Sequence, residues 1–138
     1  METNSKKELD PGKVIHSLSR SNTRREISLK LCERYPGGMT SKELSREIGC
    51  DEMNVIGALT GYDGRYSIED SLVAIGLAAM KTEKQHGEDI TVFTAAFSGE
   101  DMITMLKNYA TKNEMSENAK EYLKRLEAII AKKNNGHA

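Results

Sequence analysis

Between Thr40 and Gly61 the chain writes two short helices separated by three residues, and that spacing constrains the fold more than any other feature. Thr40-Ser41-Lys42-Glu43 is an S/T-x-x-E capping box, in which the threonine oxygen accepts a free N–H of the first turn and the glutamate reaches back. Leu44 and Ile48 lie one turn apart, Gly49 stops the helix, and Asp51 is placed to cap the next one. Val55, Ile56, Ala58 and Leu59 give the second helix its apolar contacts before Gly61 ends it. Two helices meeting across so tight a turn form a helix-turn-helix. Its demands are steric and hydrophobic: Gly49 turns the chain, Ser45 is small enough for the helices to cross, and Leu44, Ile48, Cys50, Val55 and Ala58 lock the pair onto a third helix.

The rest of the chain reads as support for that unit. A short helix follows Pro11, with Val14, Ile15 and Leu18 on one face, and ends near Ser19. Thr23-Arg24-Arg25-Glu26 fits another capping box and opens a helix whose buried stripe is Ile27, Leu31 and Tyr35, flanked by Cys32 and stopped by Pro36-Gly37-Gly38. Arg24, Arg25 and Arg34 are expected on its exposed face. A brief helix is predicted from Ser67 to Ile75, burying Ile68, Leu72, Val73 and Ile75. Then the period changes to that of strands. Leu77–Lys84 and Ile90–Phe97 read as a β-hairpin joined through Gln85-His86-Gly87-Glu88-Asp89. Ser98 caps a closing helix that buries Met102, Ile103, Leu106, Tyr109 and Ala110. Beyond Asn113, the positions Met115, Ala119, Tyr122, Leu126 and Ile129 step by four, three, four and three, an a/d seam widened by Leu123 and Ile130. Such a seam serves to pair two chains, or to fold the helix back on its own domain; because a closing helix already exists, the first is the expectation.

The order helix, helix, helix, hairpin, closing helix resembles winged-helix transcription regulators. The stretch Asn54-Val55-Ile56-Gly57-Ala58-Leu59-Thr60-Gly61, through Arg65-Tyr66 and Ser71–Leu77, resembles small archaeal regulators of that kind, and the resemblance covers most of residues 13–106. It implies a mostly helical α+β fold. Residues 1–10 then form a mobile tail, 11–112 a winged helix-turn-helix domain, 113–133 a C-terminal dimerisation helix, and 134–138 a frayed end. It also implies double-stranded DNA as partner, with the helix at about residues 51–60 in the major groove of each half-site and a homodimer spanning two of them. Met53, Asn54, Gly57 and Thr60 are the candidates for base edges, Asn54 because a carboxamide pairs bidentately with adenine. Thr40, Ser41, Lys42, Arg46, Arg24, Arg25 and Arg65 are the candidates for the backbone, with Lys84 and His86 reaching it from the wing.

Charge and composition bear on that reading from both sides. The net charge is −1, yet between Pro11 and Cys50 eight basic residues (Lys13, Arg20, Arg24, Arg25, Lys30, Arg34, Lys42, Arg46) face four acidic ones (Glu26, Glu33, Glu43, Glu47). Against it, Asp51 and Glu52 put negative charge at the mouth of the recognition helix, and Glu88 and Asp89 acidify the wing. DNA affinity should therefore be moderate and steeply salt-dependent. The acidic positions also favour the rival reading, a winged helix that binds protein without reading DNA.

Enzyme chemistry finds no support. His16, His86 and His137 are scattered, and no nucleophile motif, phosphate-cradling glycine loop or HExxH spacing occurs. No metal, cofactor or small-molecule effector is implied. Cys32 and Cys50 lack metal-ligand spacing and read as reduced apolar residues rather than redox sensors. No apolar run is long enough to span a bilayer and the first ten residues are polar, so the expected location is the cytoplasm.

Overall fold

The computed structural model describes residues 9–62 and 66–135. The elements run α1 (Pro11–Arg20), α2 (Asn22–Arg34), β1 (Gly38–Met39), α3 (Ser41–Ile48), α4 (Glu52–Thr60), β2 (Ala78–Gln85), β3 (Glu88–Ala95), α5 (Gly99–Ala110) and α6 (Glu117–Asn135). This is the mostly helical α+β class expected from the sequence, with helices, then a hairpin, then C-terminal helices in a winged-helix-like arrangement. No helix among the described residues is long and apolar enough to cross a membrane.

The sheet order is β1-β3-β2, antiparallel throughout. β2 and β3 pair from Ala78↔Ala95 to Gln85↔Glu88, so the connection is His86-Gly87 alone rather than the predicted Gln85–Asp89. Both turn residues have positive φ, 52° and 82°, the backbone of a two-residue primed turn whose twist matches the strands and lets them pair to their ends. The two-residue β1, invisible in the sequence pattern, joins through Gly38↔Thr94 and Met39↔Phe93.

The starts of the first two helices differ from expectation in an instructive way. Asp10, assigned to the tail, caps α1 by accepting from the N–H groups of Gly12 and Lys13 at 3.0 and 3.4 Å; residues 1–8 of that tail lie outside the described residues. α2 is capped by Ser21, which accepts from the Arg24 N–H at 3.1 Å, and not by Thr23. The reason lies in α1. Its last carbonyls lack helical partners, and Arg24 Nε donates to Ser17 O at 3.0 Å while Arg25 Nη1 donates to Leu18 O and Ser19 O at 2.8 and 3.2 Å. Arg24 is consequently 8% exposed, which corrects its placement on an outer face. Burial lowers its pKa, and the nearby charge of Asp70 partly offsets that. Glu26, free of any capping role, pairs with Arg125 of α6.

The predicted helix at Ser67–Ile75 is instead a run of turns. Its amides are drawn away to the end of α4: Leu72 and Val73 donate to Ala58 O and Leu59 O at 3.0 and 2.9 Å. Ser17 of α1 holds the same segment through the Asp70 carbonyl at 2.7 Å. Leu72 is buried as expected, Val73 and Ile75 are half-buried, and Ile68 is 50% exposed.

α6 completes the core. It packs on α1, α2 and α5, and Met115, Ala119, Tyr122, Leu126 and Ile130 are buried there, with Leu123 and Ile129 half-buried against the same cluster. The assignment of these seven residues to a dimer seam is therefore corrected: the stripe covers its own domain, as an amphipathic helix does when an apolar groove is within reach. Polar contacts fix the docking. Ser28 Oγ and Tyr122 OH share a buried hydrogen bond of 2.7 Å, Asn118 Nδ2 donates to Ser19 O at 3.0 Å, and Lys133 Nζ donates to Cys32 O and Tyr35 O at 3.3 and 3.1 Å. The helix continues through Asn134 and Asn135, expected to fray, while residues 136–138 lie outside the described residues.

Candidate nucleic-acid interface

The helix-turn-helix forms as its sequence requires. Thr40 Oγ1 accepts from Glu43 N at 3.1 Å while Thr40 N donates to Glu43 Oε1 at 2.9 Å, closing the capping box of α3. Gly49 ends that helix at φ 71°, a left-handed conformation that any Cβ would strain. Ser45 Oγ then donates across the turn to Cys50 O at 2.5 Å. Leu44, Val55, Ala58 and Leu59 are buried beneath, and Ile48 and Cys50 half-buried. Asp51 occupies the cap position of α4 without a side-chain capping bond. The contact at this end is made instead by Ser41, whose hydroxyl donates to Glu52 Oε2 at 2.7 Å.

Charges of both signs line these two helices. Glu43 is held in the capping box, Glu52 by Ser41, and Glu47 lies 3.5 Å from Lys30, which also pairs with Glu33. Lys42 and Arg46, one turn apart on the exposed side of α3, have no carboxylate partner among the described residues. Glu43, Glu47, Asp51 and Glu52 are all exposed, so the two cations share these helices and their turn with four carboxylates. Thr40, Ser41, Lys42 and Arg46 run along α3 from its cap to its last turn, whereas Arg24 and Arg25 are committed to α1 carbonyls.

The outer side of α4 is less open than its sequence implied. Met53 is 55% exposed and its Sδ accepts from Tyr62 OH at 3.1 Å. Asn54 is half-buried and accepts from Tyr66 OH through Oδ1. Gly57 is buried, which corrects its assignment to an exposed base-reading face: a Cβ there would lie 2.6 Å from the Tyr66 ring. Glycine is what lets the ring approach the helix so closely. Thr60 is half-buried and donates to Ile56 O at 3.1 Å. Tyr62 and Tyr66 exchange reciprocal backbone hydrogen bonds of 3.1 Å, with ring centroids 6.0 Å apart. The sequence pattern assigns neither tyrosine a role, although Tyr62 directly follows the helix-ending Gly61 and Tyr66 belongs to the Arg65-Tyr66 pair that carries part of the resemblance. Arg65 lies outside the described residues.

The hairpin is open to water along one strand: β2 is exposed from Ala79 to its tip save for half-buried Glu83, while β3 buries Val92, Phe93 and Ala95. Lys84 pairs with Asp89 at 3.1 Å and Lys81 with Glu83 at 3.3 Å, exposed pairs of small energetic weight that water, salt or a phosphate readily replaces. His86 is at the tip. The two thiols differ. Burial pushes Cys32 up to about 11, with Lys133 and the Tyr122 hydrogen bond opposing, while burial and then Asp51 raise the less enclosed Cys50.

Over 69 residues the chain is 41% identical to the uncharacterized protein MJ0905 of Methanocaldococcus jannaschii, a match spanning 50% of this chain and 61% of that relative. The chain thus covers less than two thirds of the relative's length. No solved structure matches it significantly. The EarA-like family model matches residues 14–106, which run from within α1 to within α5. On that match, the chain belongs to the EarA-like family.

Proposed function

We propose that this chain is a sequence-specific DNA-binding transcriptional regulator, with α4 presented to the major groove and α3 and the hairpin gripping the phosphates on either side. The observation that carries the reading is the pair of cations Lys42 and Arg46, exposed one turn apart on α3 and without a carboxylate partner among the described residues. Phosphate contacts of this kind fix register, while base edges supply sequence choice. Met53 and Asn54 are the residues of α4 in reach of bases. Asn54 is pre-oriented by Tyr66, so its carboxamide is held by one oxygen with its N–H groups left to donate. The role is binding rather than catalysis, needs no cofactor, and uses two chains on two half-sites.

The test is selection from random duplexes with the full chain. Enrichment of one sequence, lost in Lys42→Ala/Arg46→Ala, supports the reading; weak, equal binding to every duplex contradicts it. A second reading, a protein-binding winged helix, is favoured by the exposure of Met53 and Ile68 near Tyr62 and Tyr66. The same selection separates the two, since a protein-binding module enriches nothing.

A further inference from the structure

With α6 consumed by its own core, a dimer needs another surface, and α5 has one. Met102 and Leu106 are buried, whereas Asp101, Thr104, Met105, Asn108, Tyr109 and Lys112 line a groove of about 1000 Å³ walled on its other side by Leu9 and Phe97. Met105 and Tyr109 are only half-buried there. Lys112 continues the helical path past Ala110, because Thr111 is helical in conformation and Lys112 N donates to Tyr109 O at 3.2 Å. Asp101, Met105, Asn108 and Lys112 are spaced four, three and four residues apart, so they form one straight stripe.

That stripe is complementary to itself when reversed. A two-fold axis crossing α5 midway between Leu106 and Lys107 sets Asp101 opposite the second copy's residue 112, Thr104 opposite its 109, and Met105 opposite its 108. The Asp101–Lys112 pair then forms twice, once at each end of a contact about 16 Å long. Among the described residues neither Asp101 nor Lys112 is engaged in an ion pair within the chain. We infer that the groove along α5 is occupied by α5 of a second copy of this chain, packed antiparallel, with Asp101 and Lys112 pairing across the two-fold axis. The isologous geometry is what a closed dimer requires, and end charges of this kind select the antiparallel register over the parallel one, which would oppose like charges. This deepens the proposed function by supplying the second half-site reader, yet it is measured without DNA, so the two stand or fall separately.

The test is analytical sedimentation of the full chain with two charge reversals, Asp101→Lys and Lys112→Asp, each checked for folding by circular dichroism. The wild-type chain sediments as a dimer at tens of micromolar. Each reversal alone places like charges opposite each other twice and weakens the dimer at least about tenfold. Mixing the two variants restores a heterodimer, because the lysines of one then face the aspartates of the other at both ends. If one reversal impairs folding, the combined Asp101→Lys/Lys112→Asp chain, which restores complementarity in a single polypeptide, gives the same answer. A monomeric wild-type chain, a dimer indifferent to either reversal, or failure of the mixture to associate overturns the inference. Groove occupancy by the chain's own first residues would register as the first of these.

Discussion

Replacing Leu126 by alanine tests whether the C-terminal helix belongs to the domain or to an intermolecular seam. Leu126 is fully buried between α6 and the helices it covers. Removing three carbon atoms from such a site forfeits their transfer free energy and leaves a cavity, together about 2–5 kcal/mol. For a chain of this length each kcal/mol corresponds to roughly 3–5 °C in melting temperature. A fall on the order of 10 °C is expected, followed by circular dichroism against Lys124→Ala, an exposed neighbour whose loss should change little. Sedimentation on the same samples supplies the decisive control. If α6 is part of its own domain, Leu126→Ala melts early and keeps the wild-type association state. A variant that melts like wild type but sediments as a lighter species would refute it, since the leucine would then be holding chains together.

Three further outcomes follow from the polar contacts. Tyr122→Phe strands the buried Ser28 hydroxyl, which now bonds Tyr122 OH at 2.7 Å, and should cost about 1–3 kcal/mol in urea melts; Ser28→Ala/Tyr122→Phe should recover part of that loss. The hydrogen bond from Arg125, opposed by partial burial, holds Glu26 below its usual value of 4.5. A lowered folded-state pKa gives stability that is present above the unfolded value and lost as pH falls through the folded one. The gap between wild type and Glu26→Gln, at most about 1 kcal/mol for a pair this exposed, should therefore be full at neutral pH and shrink below 4.5; a gap constant with pH contradicts the pairing. Alkylation of the native protein should label Cys50 well before Cys32, whose thiol is buried and pushed up to about 11, and equal rates would argue that the α2–α6 contact opens readily.

What the sequence disclosed and what it hid divide along sequence distance. The Thr40–Glu43 box, the Gly49 turn and the Ser98 cap are local devices, each complete within a few residues, and each forms as read. The cap of α2 is Ser21, two residues before the Thr23 that the local pattern predicts, and Arg24 and Arg25 reach back from there to the end of α1. Ser67–Ile75 has helical signals, but its amides find the last carbonyls of α4, which no local pattern records. The stripe of α6 is equally suited to a second chain and to its own domain. The contacts that decide it, Ser28 with Tyr122 and Glu26 with Arg125, join residues 94 and 99 positions apart. At the candidate interface, periodicity picked out the exposed cations of α3 correctly as surface groups. It could not reveal that Tyr66 would lie over Gly57 and tether Asn54.

The proposed DNA grip rests on Lys42 and Arg46 of α3, and the salt dependence of binding reports on those two cations without depending on which bases are read. Each phosphate neutralised contributes about −0.9 to the slope of log K against log salt concentration. On a selected duplex, Lys42→Ala and Arg46→Ala should each make the slope shallower by roughly one, and the double variant by roughly two, with folding unchanged. The same slope in wild type and double variant would contradict the assignment.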